Sequence, residues 1–451
     1  MNNPYNYNLP VSDHKFCGRE EDIEFLIERL AAPYGDSFAL IGGRRIGKTS
    51  LLEVLEKKLS TYDSDQNQCI KTLLLDLNKI HASSEFEFLQ IVVKEILIRF
   101  DSRLSLESDG AVGYWLERFL VHWNKLEVEQ NGRLIRFVLL LDHCDRIIDQ
   151  DWVHSLYAVL RGLLESSGTR DLFKLVMAGS QRFLVEVQQA GSPLRDILEH
   201  YYLSSLSYEA TYALVSRVKL HPTNSRIARA VYIEGGGHPF LLQYLMHNLW
   251  GKDINSLSVE DVVEVGFRFS QFRQDFEKWW LQWDRMTRKV YVLLAETKNE
   301  LSERQIRIYF RENNPSNILQ ILNILVCYGV IWRNNSNSFQ VGAAMFQRWL
   351  ISSGWQEVDN SVNNRWQPSD AEPFYKAILA SYDINSLKRM LRFGLNRDLH
   401  QMIKEGGFEE VVFELIRKAE TGGWIDKLVI AAHAYNIDND QLKDFINRYN
   451  K

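Results

Sequence analysis

No stretch of the sequence approaches the ~20 apolar residues that a membrane-crossing helix needs, so no membrane association is expected. The four cysteines, Cys17, Cys69, Cys144 and Cys327, are scattered and form no CxxC pair. That excludes a disulfide scaffold and a cysteine zinc site, and it fits a reducing compartment. Positive charge is not in surplus: the formal net charge is −5, against a dedicated nucleic-acid binder. The opening residues, MNNPYNYNLPVSDHKF, lack a basic segment followed by an apolar one. No secretory signal is read there, and a cytoplasmic location is expected. No internal repeat of solenoid period is visible. What is present is ordinary globular material, 45% hydrophobic and 25% charged over 451 residues. Such a composition excludes wholesale disorder, and the length suggests about three domains.

From Phe16 to about Leu206, short apolar runs alternate with longer helical patterns. The runs are Phe38–Ile41, Thr72–Leu77, Phe137–Leu141, Leu175–Ala178 and Tyr201–Leu206. Continuous apolar runs of this length suit strands buried on both faces of a parallel sheet, so residues 1–206 read as an α/β core. Residues 207–272 are helical only, broken at Gly235-Gly236-Gly237-His238-Pro239; three glycines stop one helix and Pro239 suits the first turn of the next. Residues 273–355 read as three helices and a hairpin, Gly329–Arg333 and Ser338–Val341 around an Asn-rich turn: a winged helix-turn-helix. Residues 356–371 are a polar linker, and 372–451 an all-α bundle. The Trp279-Trp280…Trp283 cluster reads as a hydrophobic joint between domains.

Ile41 ends a strand and is followed by Gly42-Gly43-Arg44-Arg45-Ile46-Gly47-Lys48-Thr49-Ser50 and a helix. This is GxxxxGK[ST] in its strand–loop–helix context, the signature of a P-loop NTPase. Glycines let backbone N–H groups curl around phosphates, and the helix N-terminus adds a positive dipole end. Lys48 is expected to reach the β- and γ-phosphates, and Thr49 to ligate Mg²⁺. Asp142, at the carboxyl end of the apolar run Phe137–Leu141, is the second expected Mg²⁺ ligand. Many ATPases place Glu directly after this Asp to orient the attacking water; here the residue is His143, and Asp145 is the candidate base. Ser180 and Arg182, after the run Leu175–Ala178, are candidates to sense the γ-phosphate. Arg195 is a candidate arginine finger toward a neighbouring subunit.

These residues resemble a known family. Phe16-Cys17-Gly18-Arg19-Glu20 looks like the hhGRE element of signal-transduction ATPases with numerous domains (STAND) and related archaeal-type ATPases, where it packs on the adenine. Gly18 and Arg19 therefore join the expected nucleotide site. The run Gly42–Leu52 is close to the family's phosphate loop, and Gly237-His238-Pro239 resembles its GxP element, which implies His238 and Pro239 at the nucleotide. The winged helix falls where the family has one. The Asp142…Asp145 spacing is similar to that of the NACHT branch, while no His stands at Gly342–Phe346 to read the ADP state. Phe374–Tyr449 resembles a second family, effector-associated domains of the first type, on landmarks such as Leu387, Phe408–Ile416, Gly423-Trp424 and Asn439.

Together these resemblances imply an AAA+/STAND-like core with a helical lid, winged helix and adaptor bundle. They imply ATP/ADP and Mg²⁺ as cofactors, slow ATP hydrolysis, self-oligomerisation on ATP binding, and recruitment of an effector carrying a matching domain in bacterial conflict or anti-phage defence. A separate sensor protein is a further expected partner. The alternative is a DNA-handling ATPase of the origin-recognition or transposition-helper type. Its recognition helix would be about Ser316–Val326, which holds no Lys or Arg, so nucleic acid is not the expected partner.

Overall fold

The computed structural model describes residues 3–10, 16–32, 35–62, 68–100, 112–216, 224–251, 257–272, 274–297, 300–310, 315–334, 337–351, 368–395, 397, 399–403, 406–421, 424–425, 428–429, 431–432, 436 and 439–449. The chain divides into two compact units, Met1–Tyr291 with Glu300–Ser352, and Val292–Asn299 with Ser353–Lys451. Most of the expected linker, 356–371, lies outside the described residues; its end forms a 3-10 turn at Pro368–Asp370.

The core of the first unit is a parallel sheet of β1 (Phe38–Ile41), β2 (Gln68–Asp76), β3 (Leu134–Asp142), β4 (Phe173–Gly179) and β5 (Glu199–Tyr202) in the order β2-β3-β4-β1-β5. Every residue of β1 and β4 is buried, because helices cover both faces of the sheet. On one face, Leu26 and Leu30 of α1 (Glu20–Ala31) and Leu51, Leu52 and Leu55 of α2 (Lys48–Ser60) pack on Phe38, Leu40, Val138 and Val176. Each such side chain contributes roughly 1.5–3 kcal/mol by leaving water. The expected apolar runs fall on these strands, though β2 starts at Gln68, four residues before the expected Thr72, and β5 is shifted. The last run was expected at Tyr201–Leu206, but pairing with β1 stops at Tyr202 opposite Ile41. Beyond Leu203 the chain leaves the sheet, and Leu206 N–H donates to Gly237 O at 2.8 Å instead.

Between β2 and β3 lie α3 (Glu85–Arg99) and α4 (Val112–Asn131), whose Trp123 ring sits 5.8 Å from Phe137 of the sheet. After β3 come α5 (Val153–Glu165) and, following β4, α6 (Gln181–Gln188). The lid is α7 (Tyr208–Val215), α8 (Asn224–Gly235), α9 (Pro239–Leu249) and α10 (Val259–Phe272). Gly236 (φ +63°) turns the chain between α8 and α9; a Cβ there would meet Gly329 O at 2.1 Å. Only glycine fits that approach.

The winged helix follows: α11 (Asp275–Gln282), α12 (Arg285–Thr297), β6 (Leu301–Ser302), α13 (Glu303–Phe310), α14 (Pro315–Cys327), β7 (Ile331–Arg333), β8 (Ser338–Val341) and α15 (Ala344–Trp349). β8 pairs antiparallel with both β6 and β7. Trp279, Trp280 and Trp283 are buried, and Trp279 lies between the rings of His238 in the lid, Tyr328 and Phe346. Lid and winged helix are also joined by an ion pair of half-buried Arg348 with buried Glu234, by Ser270 Oγ donating to Met345 O at 2.8 Å, and by stacking of Tyr232 on Trp332.

The second unit has its own core. Phe374 and Ile378 of helix Ala371–Ser381, Leu387 and Leu391 of Ile384–Gly394, Val412 and Leu415 of Phe408–Thr421, and Phe445 of Asp440–Tyr449 converge there. Tyr382 Oη donates to Ala432 O at 2.6 Å, and Asn436 Nδ2 donates to Ser381 O at 2.7 Å. Asp383 caps its helix reciprocally with Ser386, a full capping box.

Candidate nucleotide site

The phosphate loop emerges from β1 between β4 and β5, at the carboxyl ends of the strands, where open parallel sheets bind ligands. Gly42 N–H donates to Gly179 O at 3.2 Å, tethering the loop to β4. Gly47 has φ +102°, a conformation that favours glycine, and starts α2. Lys48 Nζ is folded back onto the loop and donates to Gly42 O at 2.8 Å and Gly43 O at 3.0 Å. Burial lowers its pKa, and the charges of Asp145 and Asp142 oppose that fall. A half-buried ammonium satisfied by loop carbonyls is matched to an anionic ligand.

Thr49 Oγ1 donates to Asp142 Oδ2 at 2.6 Å, and Asp142 Oδ1 accepts His143 N–H at 2.8 Å. Asp142 is 2% exposed. A hydroxyl and a carboxylate, both hard oxygen donors, fit Mg²⁺ and its preference for few protein ligands alongside phosphate. Sequence reasoning missed Asp76. It ends β2 in register with Asp142, and its Oδ1 lies 3.0 Å from His143 Nδ1. It falls inside the run expected at Thr72–Leu77, and only the register of β2 with β3 brings it to the site.

Asp145 and Ser180 are brought together. Asp145 Oδ1 accepts from Ser180 Oγ (2.5 Å) and Phe183 N–H (3.3 Å), and Oδ2 accepts from Ser180 N–H (2.9 Å). Both oxygens are thus engaged at the N-terminus of α6. Arg182 pairs with Asp149 at 2.5 Å, and Arg195 lies 3.8 Å from Asp196; all four side chains are exposed. The partners of these two arginines lie outside the Lys48–Thr49–Asp142 group.

Gly18 and Arg19 sit where three elements meet. Gly18 has φ +73°, and a Cβ there would stand 2.3 Å from Ala210 Cβ. Arg19, 5% exposed, donates to Ser204 O (2.6 Å), Ile46 O (3.3 Å) and Asp22 Oδ2 (3.2 Å). It thereby links the loop to the segment that leads into the lid. Arg45 lies 3.6 Å from Asp275 and 4.4 Å from the Phe240 ring centroid, bridging loop, lid and winged helix. His238 is fully buried, and its ring nitrogens find no well-formed hydrogen bond among the described residues beyond a weak contact with the Arg44 backbone. Burial pushes its pKa down to about 3; the backbone of Arg44 opposes this, and the charges of Arg19, Lys48 and Arg45 reinforce it. Its imidazole is therefore neutral. Pro239 follows as the first residue of α9.

The carboxyl end of α14 closes over the loop. Gly43 N–H donates to Cys327 O at 3.3 Å. A Cβ on Gly43 would meet that carbonyl and the Tyr328 ring, both at 2.8 Å. Burial pushes the Cys327 thiol up to about 12, so it stays protonated. Further along, Gln320 Nε2 donates to Gln188 Oε1 at 3.0 Å, and Gln181 Nε2 to Asp284 Oδ2 at 2.8 Å.

Residues 19–282 match the family model described as AAA-like domain. The chain belongs to that family. Residues 364–450 match a second model, Effector-associated domain 1. No curated protein matches the chain. Among solved structures, it is similar to the Walker-type ATPase PABY2304 of Pyrococcus abyssi, with 16% identity over 76% of this chain and 99% of that one, at a TM-score of 0.48. It is also similar to the ORC2 protein of Aeropyrum pernix (13% identity, 77% of this chain, 97% of that one, TM-score 0.40). A third is Cdc6p of Pyrobaculum aerophilum (14%, 77%, 97%, 0.38). The AAA-like match ends at Gln282, the last residue of α11, so the winged helix elements from α12 onward lie between the two matched regions. An AAA-like domain with a complete phosphate loop implies nucleotide binding, and the effector-associated domain implies an effector partner. Among the described residues, no helix is long and apolar enough to cross a membrane.

Proposed function

We propose that the protein is an ATP-controlled signalling switch of the STAND type, NACHT-like in its Asp142…Asp145 spacing. It alternates between ADP- and ATP-bound forms with Mg²⁺, self-associates in the ATP form, and gathers effectors through its C-terminal domain. The observation that carries the reading is the docking of α14 on the phosphate loop. Gly43 N–H is spent on Cys327 O, and Lys48 is turned onto loop carbonyls. Nucleotide binding and the winged-helix contact thus meet at the same loop. A ligand that favours the undocked arrangement shifts the population toward it. Lys48 and the loop N–H groups would hold the phosphates, and Thr49 and Asp142 would hold Mg²⁺, which supplies charge neutralisation between phosphates. His238 and Arg19 lie beside the loop on the lid side.

Clustering C-terminal domains raises the local concentration of recruited effectors without any new contact. Bacterial conflict or anti-phage defence is the setting that suits such a relay, with a separate protein as sensor and the effector carrying a matching domain. Hydrolysis, with Asp145 as the candidate base, would reset the switch slowly, because both Asp145 oxygens must first leave Ser180 and Phe183. The DNA-handling alternative lacks support from the recognition helix. Ile318, Ile321, Leu322, Ile324 and Leu325 of α14 are buried, and Gln320 is bonded to α6.

The test is solution mass by light scattering, with ADP and then with a non-hydrolysable ATP analogue plus Mg²⁺. A defined oligomer with the analogue alone is expected, and Lys48→Ala should stay at the ADP mass. An unchanged mass with the analogue demonstrably bound would sink the clustering switch.

A further inference from the structure

We infer that residues 3–8 form a strap that positions the phosphate loop through the lid, with Tyr7 acting on Arg45 by way of Phe240. The stretch reads Asn3-Pro4-Tyr5-Asn6-Tyr7-Asn8. Its asparagines fold it locally: Asn3 Oδ1 accepts Tyr5 N–H at 3.0 Å and Asn6 Oδ1 accepts Asn8 N–H at 2.9 Å, two Asx turns in succession. Both tyrosines reach the lid. Tyr5 is 2% exposed; its hydroxyl donates to Val215 O at 3.1 Å and lies 3.3 Å from Leu214 O, two of the carbonyls left over at the end of α7. The other contacts fall on α9. Asn6 N–H donates to Gln243 Oε1 at 3.2 Å, His247 Nδ1 to Tyr5 O at 2.8 Å, and Asn3 Nδ2 to His247 O at 3.1 Å. The Tyr7 ring packs edge-on with those of Tyr244, His247 and Phe240, at 5.1, 5.1 and 6.1 Å between ring centres.

Phe240 carries the contact onward. It follows Pro239 in the first turn of α9, is buried, and takes the Arg45 guanidinium over its ring at 4.4 Å. Arg45 stands at φ +63°, a left-handed conformation that a side chain of its size keeps only where the surroundings hold it. The Phe240 ring and Asp275, 3.6 Å away, supply that hold. A cation over an aromatic face is held best when the pair is shielded from water, and Tyr7 both covers and fixes the Phe240 ring. The left-handed turn at Arg45 sets the curl of the loop, and with it the directions of the N–H groups that meet a phosphate. Without Tyr7 the Phe240 ring loosens, Arg45 loses its seat, and a smaller fraction of loops is ready for the ligand. The strap is tied to the loop a second time, because the same chain continues to Arg19, which donates to Ile46 O beside Arg45. Tyr7 is therefore a positioning residue. The inference rests on the phosphate loop as the nucleotide site, and not on the switch.

The experiment is the affinity of the full chain for a fluorescent, non-hydrolysable ATP analogue with Mg²⁺, read by anisotropy, with melting temperatures in parallel. Tyr7→Ala should weaken binding by roughly three- to tenfold, the worth of an aromatic contact. Tyr7→Phe keeps the ring and should stay within about twofold of wild type. A strap that merely steadies the lid would also lower the melting temperature, so a double-mutant cycle with Arg45 decides. Arg45→Ala keeps every loop N–H and should still bind. In that background Tyr7→Ala should change affinity by less than about twofold, while its drop in melting temperature equals that in wild type, because only the affinity effect runs through Arg45. Wild-type affinity in Tyr7→Ala, no recovery in Tyr7→Phe, or an equal loss of affinity with and without Arg45 overturns the proposal. A wild-type chain that fails to bind the analogue, or binds it no better than Lys48→Ala, overturns the site reading and this inference with it.

Discussion

At the scale of single residues, the site is held by groups whose normal partners are missing or borrowed. His238 is the clearest case: a neutral imidazole with no well-formed hydrogen bond among the described residues beyond the Arg44 backbone contact, tilted against the Trp279 ring at 4.6 Å. Its pKa of about 3 in the fold lies below the ~6.5 of an unfolded histidine. The unfolded chain therefore binds the extra proton between those values. Stability from this residue is fully present above pH ~6.5 and falls as pH drops toward 3, by up to ~1.4 kcal/mol per pH unit. Melting temperatures at pH 7.5, 6.0 and 5.0 check this. Wild type should lose stability on acidification, and His238→Leu should lose distinctly less. Parallel curves would mean that the imidazole is protonated in the fold. The sequence pointed to Lys48, Thr49, Asp142 and His238 because each lies in a local motif. It did not point to Asp76, which meets His143 only through the parallel register of β2 with β3. Nor could it show that Asp145 is held by Ser180, because that contact depends on where β4 ends.

At the scale of elements, strands and helices were legible where one periodicity dominates. β1 and the stretches Phe137–Leu141 of β3 and Leu175–Ala178 of β4 are unbroken apolar runs, and Pro239 marks the start of α9 as expected. β6 was missed because two residues, Leu301 and Ser302, carry no period, and they become a strand only by pairing with β8. The larger omission was the docking of α14, whose composition reads simply as a buried helix. Its effect follows from geometry. The Tyr328 ring packs on Gly43, and its hydroxyl donates to Gln282 Oε1 at 3.1 Å. Tyr328→Ala removes the ring from the loop and leaves a cavity, costing about 3–5 kcal/mol of stability. Affinity for a fluorescent nucleotide should nonetheless rise several-fold, because docking on the loop no longer opposes the ligand-bound arrangement. Tyr328→Phe keeps the ring, loses one hydrogen bond, and should bind nucleotide with the wild-type affinity. If both variants match wild type, α14 does not gate the loop.

At the scale of the whole molecule, two cores divide the labour. The first unit buries its apolar residues around a parallel sheet and presents the phosphate loop; the second closes its own helical core around Phe374, Leu387, Val412 and Phe445. Among the described residues, the sheet cluster runs from Ile23 to Leu203 and the helical cluster from Phe374 to Phe445. Loss of the second unit should therefore leave the first able to fold and bind nucleotide. Deleting Gln367–Lys451 is expected to keep the affinity for the ATP analogue within about twofold, since among the described residues none of the loop contacts lies in the deleted segment. The same deletion should abolish capture of the effector, measured by co-purification with the full chain as reference. Retained capture would move the adaptor role into the first unit. Lost nucleotide binding would show that the C-terminal bundle supports the loop, and the relay would then have to run in both directions, because a coupling between two sites is reciprocal.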